Sequence, residues 1–137
     1  MIQVFCSKRG SGKTKQLIDL ANNGVRTSKG SSVYIDDDQK PMLQLRREIR
    51  FVSTNEYNVD TPETFYGMLC GLLSSDYDIE NVYIDGISNI VKAPVDEMNW
   101  LFMMIKSLSE ENDINIYINE NCEDIDEVPH FIKEYVA

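Results

Sequence analysis

The sequence predicts an α/β domain with a mostly parallel five-stranded sheet flanked by helices in three layers. Short β-branched and aromatic runs alternate with helical stretches, which is typical of a parallel sheet. The chain has 137 residues, of which 42% are hydrophobic, so we expect residues 1–137 to form a single domain with its own core. No stretch approaches about 18 uninterrupted apolar residues. We therefore expect no membrane segment.

The first two strands and the helix between them are defined by apolar runs and their boundaries. Ile-Gln-Val-Phe-Cys at 2–6 predicts a buried strand. A helical pattern follows over about 13–22 and ends at an Asn-Asn-Gly turn. Ser-Val-Tyr-Ile-Asp at 32–36 predicts the second strand, because β-branched and aromatic residues favour that conformation.

The middle of the chain predicts two helices separated by a short strand. Asp38 is a suitable cap for a helix over about 39–49, where apolar residues recur at helical spacing. Arg-Phe-Val-Ser-Thr at 50–54 predicts the third strand. Thr61 can cap the next helix, whose first position is a proline and which extends to about residue 73.

The last third of the chain contains the two remaining strands. Asn-Val-Tyr-Ile-Asp at 81–85 and Ile-Asn-Ile-Tyr-Ile at 114–118 predict strands four and five. A long helix is expected between them over about 94–111, opened by a proline. The tail at 126–135 predicts one short helix, with a terminal strand at 131–136 as the alternative.

Charge is distributed unevenly along the chain. Residues 1–50 carry a balance of +5 and residues 51–137 a balance of −15, which gives the net charge of −10. An acidic protein repels nucleic acid, so stand-alone nucleic-acid binding is disfavoured. The three cysteines, Cys6, Cys70 and Cys122, form no CxxC pair. We therefore expect reduced thiols in a cytoplasmic protein, without a zinc site or a disulfide framework.

The most specific motif is Ser-Lys-Arg-Gly-Ser-Gly-Lys-Thr at 7–14, between the first strand and the first helix. This is the order of a Walker A phosphate loop, with Ser7 in place of the usual first glycine. Its glycines let backbone N–H groups turn inward as an anion nest beside the helix N-terminus. Lys13 can reach the β- and γ-phosphates, and the Thr14 hydroxyl can bind Mg²⁺. The predicted nucleotide-binding residues are Lys8, Arg9, Gly10, Ser11, Gly12, Lys13, Thr14 and Lys15.

Carboxylates at the ends of other strands predict the rest of the site. Asp85 ends an apolar strand, which is the Walker B arrangement, so we expect it to hold Mg²⁺ together with Thr14. The three aspartates at 36–38 end the second strand at the same edge of the sheet. One of them could orient the attacking water, or the group could be a solvated turn with a helix cap. Asn119 and Glu120 could sense the γ-phosphate or simply end the fifth strand.

Three further segments resemble RecA-like ATPases. Val33 to Asp38 is similar to their second strand, which is followed by the catalytic acid. The run from Phe65 to Asp85 resembles their helix leading into the Walker B strand, and Ile116 to Glu120 resembles their strand ending in Asn-Gln. The resemblance implies a P-loop NTPase fold. It also implies Lys13, Asp38 and Glu120 as catalytic residues, with Thr14 and Asp85 binding the metal.

These observations predict an ATP-binding protein and a Mg²⁺-dependent ATPase. ATP is favoured over GTP only by default, because no Asn-Lys-x-Asp guanine motif is present. The alternative is a nucleotide-binding switch or assembly subunit with little or no hydrolysis. It is motivated by Gly86, which stands where many P-loop ATPases have a water-orienting glutamate. Such a subunit would bind a larger protein or a second copy of itself. Trp100, Met103 and Met104, on the flank of the long helix, could form that interface, or they could cover the edge of the sheet or pack on a neighbouring helix.

Overall fold

The computed structural model describes residues 1–137 as an α/β fold on one five-stranded sheet. The strands are β1 (Ile2–Ser7), β2 (Ser31–Asp36), β3 (Ile49–Ser53), β4 (Ile79–Asp85) and β5 (Asn115–Asn121). Their order in the sheet is β1-β5-β4-β2-β3, and every neighbouring pair is parallel. The predicted parallel α/β sheet is confirmed, and it is wholly rather than mostly parallel.

Helices cover both faces of this sheet. They are α1 (Lys13–Gly24), α2 (Pro62–Ser75), α3 (Ile87–Val91), α4 (Asn99–Asn112) and α5 (His130–Lys133). Short 3-10 turns lie at Lys40–Gln44, Thr54–Tyr57, Val95–Glu97 and Ile125–Glu127. On one face α1 packs on a small core that includes Tyr34 and Tyr83. A larger core of 24 buried residues, with side chains from the other four helices, fills the opposite face. Because strand residues alternate between faces, each strand contributes to both cores.

The predicted start of α2 is confirmed in detail. The Thr61 hydroxyl accepts a hydrogen bond from the Thr64 N–H at 3.1 Å, and the Thr64 hydroxyl accepts one from the Thr61 N–H at 3.1 Å. Pro62 occupies the first helical position, where its missing N–H leaves no bond unmade.

The helix predicted over 39–49 is wrong. Only Lys40–Gln44 is helical, as a 3-10 turn, and Leu45 is extended. The Asn22 side chain of α1 donates to the Gln44 carbonyl at 2.9 Å and accepts from the Arg46 N–H at 2.8 Å. These bonds hold the backbone beside α1, so tertiary contacts replace the hydrogen bonds that a helix would need.

The helix predicted over 94–111 begins later, at Asn99. Lys92 has a left-handed conformation with φ of 53°, which ends α3 and separates it from α4. In the tail α5 is only four residues long, shorter than predicted. The alternative, a terminal strand, is reduced to a single parallel bridge between Val136 and Val4, on the side of β1 that has no neighbouring strand.

Cys6 and Cys122 are paired as a disulfide, with their Cα atoms 5.3 Å apart. Parallel pairing of β1 with β5 brings them together, because Ser7 lies opposite Asn121 and the Cys122 N–H then donates to the Ser7 carbonyl at 2.9 Å. The prediction of three reduced thiols is therefore wrong for these two residues, and only Cys70 is free. The cytoplasmic compartment stays a prediction. None of the helices is both long enough and apolar enough to cross a membrane.

Candidate functional site

The loop at residues 7–14 connects β1 to α1 and has two left-handed glycines. Gly10 has φ of 81° and Gly12 has φ of 88°. A Cβ at either position would meet no atom within 4 Å, so backbone conformation and not space selects glycine here. Gly12 is also the N-cap of α1, and no side chain caps that helix end. Its first N–H groups are therefore free to bind an anion.

The Lys13 side chain bends back over this loop. Its ammonium donates to the Lys8 carbonyl at 3.2 Å and to the side-chain oxygen of Asn121 at the end of β5. The single salt bridge of the structure joins Arg46 to Glu48 on the surface, so no carboxylate pairs with Lys13. Its positive charge is left available to an anionic ligand.

Thr14 and Asp85 meet across the sheet edge. The Thr14 hydroxyl donates to one oxygen of the Asp85 carboxylate at 3.2 Å. The other oxygen accepts a 2.8 Å bond from the hydroxyl of Tyr34, a completely buried residue of β2. Burial, followed by the nearby Asp85 charge, raises the pKa of Tyr34 well above its usual range, so its hydroxyl remains a donor. Asp85 is itself only 6% exposed.

Asn119 has an unpartnered donor. Its side-chain oxygen accepts the Gly86 N–H at 2.5 Å, whereas its Nδ2 has no hydrogen-bond partner although the residue is 1% exposed. Buried polar atoms are nearly always paired in native proteins. This free N–H is therefore a signal for an acceptor that binds at the site.

These groups surround a cavity of about 430 Å³ at the carboxyl ends of β1, β5 and β4. Its lining contains no hydrophobic residue and consists of Arg9, Gly10, Gly12, Lys13, Thr14, Asp85, Gly86, Asn89, Asn119 and Asn121. Two cations and several N–H donors face one carboxylate, so the cavity favours an anion.

The chain matches no protein-family model and no curated protein.

Six of the eleven predicted site residues line the cavity, and the other five do not; these five are Lys8, Ser11, Lys15, Asp38 and Glu120. Those lining it are Arg9, Gly10, Gly12, Lys13, Thr14 and Asp85. The backbone carbonyl of Lys8 accepts a hydrogen bond from Lys13, and the hydroxyls of Ser11 and Ser7 are hydrogen-bonded at 2.8 Å. The Lys15 side chain is exposed on α1. The Asp38 carboxylate is exposed and accepts the Lys40 N–H at 3.0 Å, within its own turn.

Glu120, predicted as a catalytic residue, lies outside the cavity lining. One of its carboxylate oxygens accepts the N–H of Ser88 at 2.9 Å and the hydroxyl of Ser88 at 2.7 Å. Glu120 therefore fixes the start of α3. It points to the opposite face of β5 from Asn119 and Asn121, because strand side chains alternate.

Asp36 is the buried member of the aspartate triplet. Burial, with smaller contributions from Asp37 and from the Asp85 charge, raises the pKa of Asp36 from 3.8 to about 9. The group therefore holds a proton at neutral pH. Asp85 is the one carboxylate that lines the cavity.

Three parallel strands end in the same pattern, which the sequence reasoning missed. Tyr-Ile-Asp occurs at 34–36 and 83–85, and Tyr-Ile-Asn at 117–119. Strand pairing places the three tyrosines side by side, with ring centroids 6.3 Å apart between Tyr34 and Tyr83 and 5.1 Å apart between Tyr83 and Tyr117. Two residues further on, polar side chains form a row on the same face. The repeated triplet is the signal that could have connected Tyr34 with the site.

The residues present fit a divalent cation only together with another ligand. The structure has no group of three His, Cys, Asp or Glu residues that could enclose a metal ion. One carboxylate beside one hydroxyl, as at Asp85 and Thr14, is nevertheless a donor set that suits Mg²⁺ shared with phosphate oxygens.

Proposed function

We propose that this chain binds Mg²⁺ and ATP in the polar cavity and hydrolyses the nucleotide slowly. The observation that carries the proposal is that the Lys13 ammonium, which has no carboxylate partner, and the Thr14–Asp85 contact lie at one cavity whose lining contains no hydrophobic residue. The motif between β1 and α1 supports assignment of the fold to the P-loop NTPases, among which the sequence resembles the RecA-like core.

Each group has a defined part in this proposal. The free N–H groups of the loop and the Lys13 ammonium bind the phosphates. Thr14 and Asp85 hold the cation, with Asp85 acting directly or through a water molecule. Bound Mg²⁺ supplies positive charge that neutralises the phosphate oxygens. Nδ2 of Asn119 donates to the γ-phosphate or to the attacking water, which satisfies an otherwise unpaired buried group.

We expect slow hydrolysis because Asp85 is the one carboxylate that lines the cavity. Efficient phosphoryl transfer to water needs a group that orients the water, and Asp85 is committed to the cation. The two carboxylates predicted for catalysis make other contacts: Asp38 accepts a hydrogen bond within its own turn, and Glu120 of β5 accepts hydrogen bonds from Ser88 of α3. This favours a second candidate function, a nucleotide-dependent switch in which ATP and ADP stabilise different conformations.

The binding part is tested with a fluorescent ATP analogue, titrated with and without Mg²⁺. We expect Lys13→Ala to weaken binding at least about tenfold, since a charge-assisted hydrogen bond contributes about 1.5–3 kcal/mol. Lys15→Ala is the matched control, because it removes an exposed lysine two residues away. Equal affinities of the two variants would show that the loop does not bind the phosphates.

Hydrolysis and switching are separated by two further measurements. Phosphate release from ATP should be slow, should be abolished by Lys13→Ala and should be unchanged by Asp38→Asn. Light scattering with ATP and with ADP then tests assembly, for which the exposed Trp100 and Met103 are available. The same mass and the same partner binding with both nucleotides would rule out the switch and leave a slow ATPase.

A further inference from the structure

Tyr34 and Thr14 bond different oxygens of the Asp85 carboxylate. The Tyr34 hydroxyl occupies one carboxylate oxygen at 2.8 Å, while Thr14 contacts the other at 3.2 Å. Tyr34 has no exposed surface and is not part of the cavity lining. It cannot touch a ligand there, so any effect on binding has to pass through Asp85.

Strand pairing and ring packing set the position of this tyrosine. β2 pairs with β4 so that Tyr34 lies opposite Tyr83, and Asp85 is the diagonal neighbour two residues further on. The Tyr34 ring lies between Phe51 and Tyr83, each with its ring centroid 6.3 Å away. With both neighbouring rings in place, its hydroxyl has a fixed direction toward the carboxylate.

From this geometry we propose that Tyr34 is a positioning residue, which orients the Asp85 carboxylate so that the oxygen beside Thr14 faces the cation. The inference rests on the proposed function. Carboxylate ligands are usually held by hydrogen bonds from outside the ligand shell, and loss of such a bond typically lowers metal affinity about 10- to 100-fold. Without Tyr34 the carboxylate can rotate, and the Mg²⁺-dependent part of nucleotide binding should be lost first.

The experiment compares ATP binding in EDTA with ATP binding in Mg²⁺, and Mn²⁺ binding in the presence of ATP by electron paramagnetic resonance. Tyr34→Phe should weaken binding in Mg²⁺ and Mn²⁺ about tenfold or more and leave binding in EDTA unchanged. Tyr83→Phe is the matched control, since it removes a hydroxyl from the same stack of rings without a bond to Asp85. Thermal unfolding of every variant is recorded first.

A double-mutant cycle then tests the route of the effect. In an Asp85→Asn background, Tyr34→Phe should cause no further loss of metal-dependent binding, because its target is already changed. Additive losses would overturn the inference. So would equal losses in EDTA and Mg²⁺, identical behaviour of Tyr34→Phe and Tyr83→Phe, or a Tyr34→Phe chain that fails to fold beside a folded Tyr83→Phe chain.

Failure of the proposed function gives a different result. If Mg²⁺ does not change the affinity of the wild-type chain for ATP, the proposed function is wrong and the role of Tyr34 falls with it. If Mg²⁺ strengthens wild-type binding and Tyr34→Phe behaves as the wild type, only the role of Tyr34 is wrong.

Discussion

The Lys13 ammonium is bonded to the side-chain oxygen of Asn121, a neutral group at the end of the neighbouring strand. The amide holds the lysine without neutralising it. A carboxylate in the same place would form a salt bridge and would repel an anionic ligand.

This relationship predicts the effect of adding a charge. Asn121→Asp should weaken binding of ATP about tenfold or more, because it pairs Lys13 and adds a negative charge to the cavity lining. Isothermal titration calorimetry measures the affinity. Asn55→Asp makes the same change at an exposed position after β3 and should have little effect. If the two variants bind ATP equally well, Lys13 does not contact the phosphates.

Gly86 predicts a stability change with a matched control. Its φ is 71°, and a Cβ there would lie 3.2 Å from Nδ2 of Asn89. Gly86→Ala should therefore lower the free energy of unfolding by about 1–2 kcal/mol, the usual cost of a left-handed alanine. Gly67→Ala lies within α2 in open space and should raise it by about 0.5–1 kcal/mol. Urea denaturation measures both. A Gly86→Ala chain as stable as the wild type would contradict the backbone conformation described here.

Asp36 predicts that the folded protein loses stability as the pH rises. The raised pKa of Asp36, about 9 in the folded chain against 3.8 as the ordinary value, means that only the folded state keeps this proton between those limits. The contribution of Asp36 to the free energy of unfolding should therefore be greatest at about pH 4 and below. It should fall as the pH rises toward 9, because the unfolded chain releases this proton while the folded chain keeps it.

The pH effect is measured by thermal unfolding across this range. Asp36→Asn should flatten the curve and should stabilise the protein at neutral pH. Asp38→Asn, at an exposed carboxylate, is the control and should leave the curve as in the wild type. A wild-type stability that rises steadily from pH 5 to pH 9 would contradict the buried position of Asp36.

The cysteine pair predicts a redox-dependent stability. The Cys6–Cys122 disulfide spans 116 residues of sequence, so it restricts nearly the whole unfolded chain. Cys122→Ser or reduction should lower the free energy of unfolding by about 2–4 kcal/mol. Cys70→Ser should have a small effect, since this thiol is free. Unfolding midpoints measured with and without dithiothreitol should then differ for the wild type and agree for Cys122→Ser.

Local sequence predicted the elements whose signals are local. Thr61 and Pro62 mark the start of α2, and apolar runs place all five strands within a few residues. The helix predicted over 39–49 failed because its hydrogen bonds are replaced by bonds to Asn22, which is 22 residues from Gln44. That contact forms only when the chain is folded, so it could not be predicted from the spacing of apolar residues.

The site follows the same rule. Lys13, Thr14 and Asp85 could be predicted to lie together because a motif or a strand end identifies each one, and all three line the cavity. Asn121 and Tyr34 were missed because their importance depends on strand order, which brings β5 beside β1 and β2 beside β4. Glu120 was predicted to lie at the site because it ends the fifth strand. Its side chain instead contacts Ser88, because it lies on the face of β5 that is covered by α3.

The alternation along β5 has a consequence for the whole cavity. Asn119 and Asn121 line the cavity, and Glu120 between them faces α3. A slip of β5 by one residue would exchange these faces and bring the Glu120 carboxylate against Lys13. The cavity would then reject the anions that it now favours. The pairing register of a single strand thus decides whether the lining of this cavity is predominantly cationic or gains a second carboxylate.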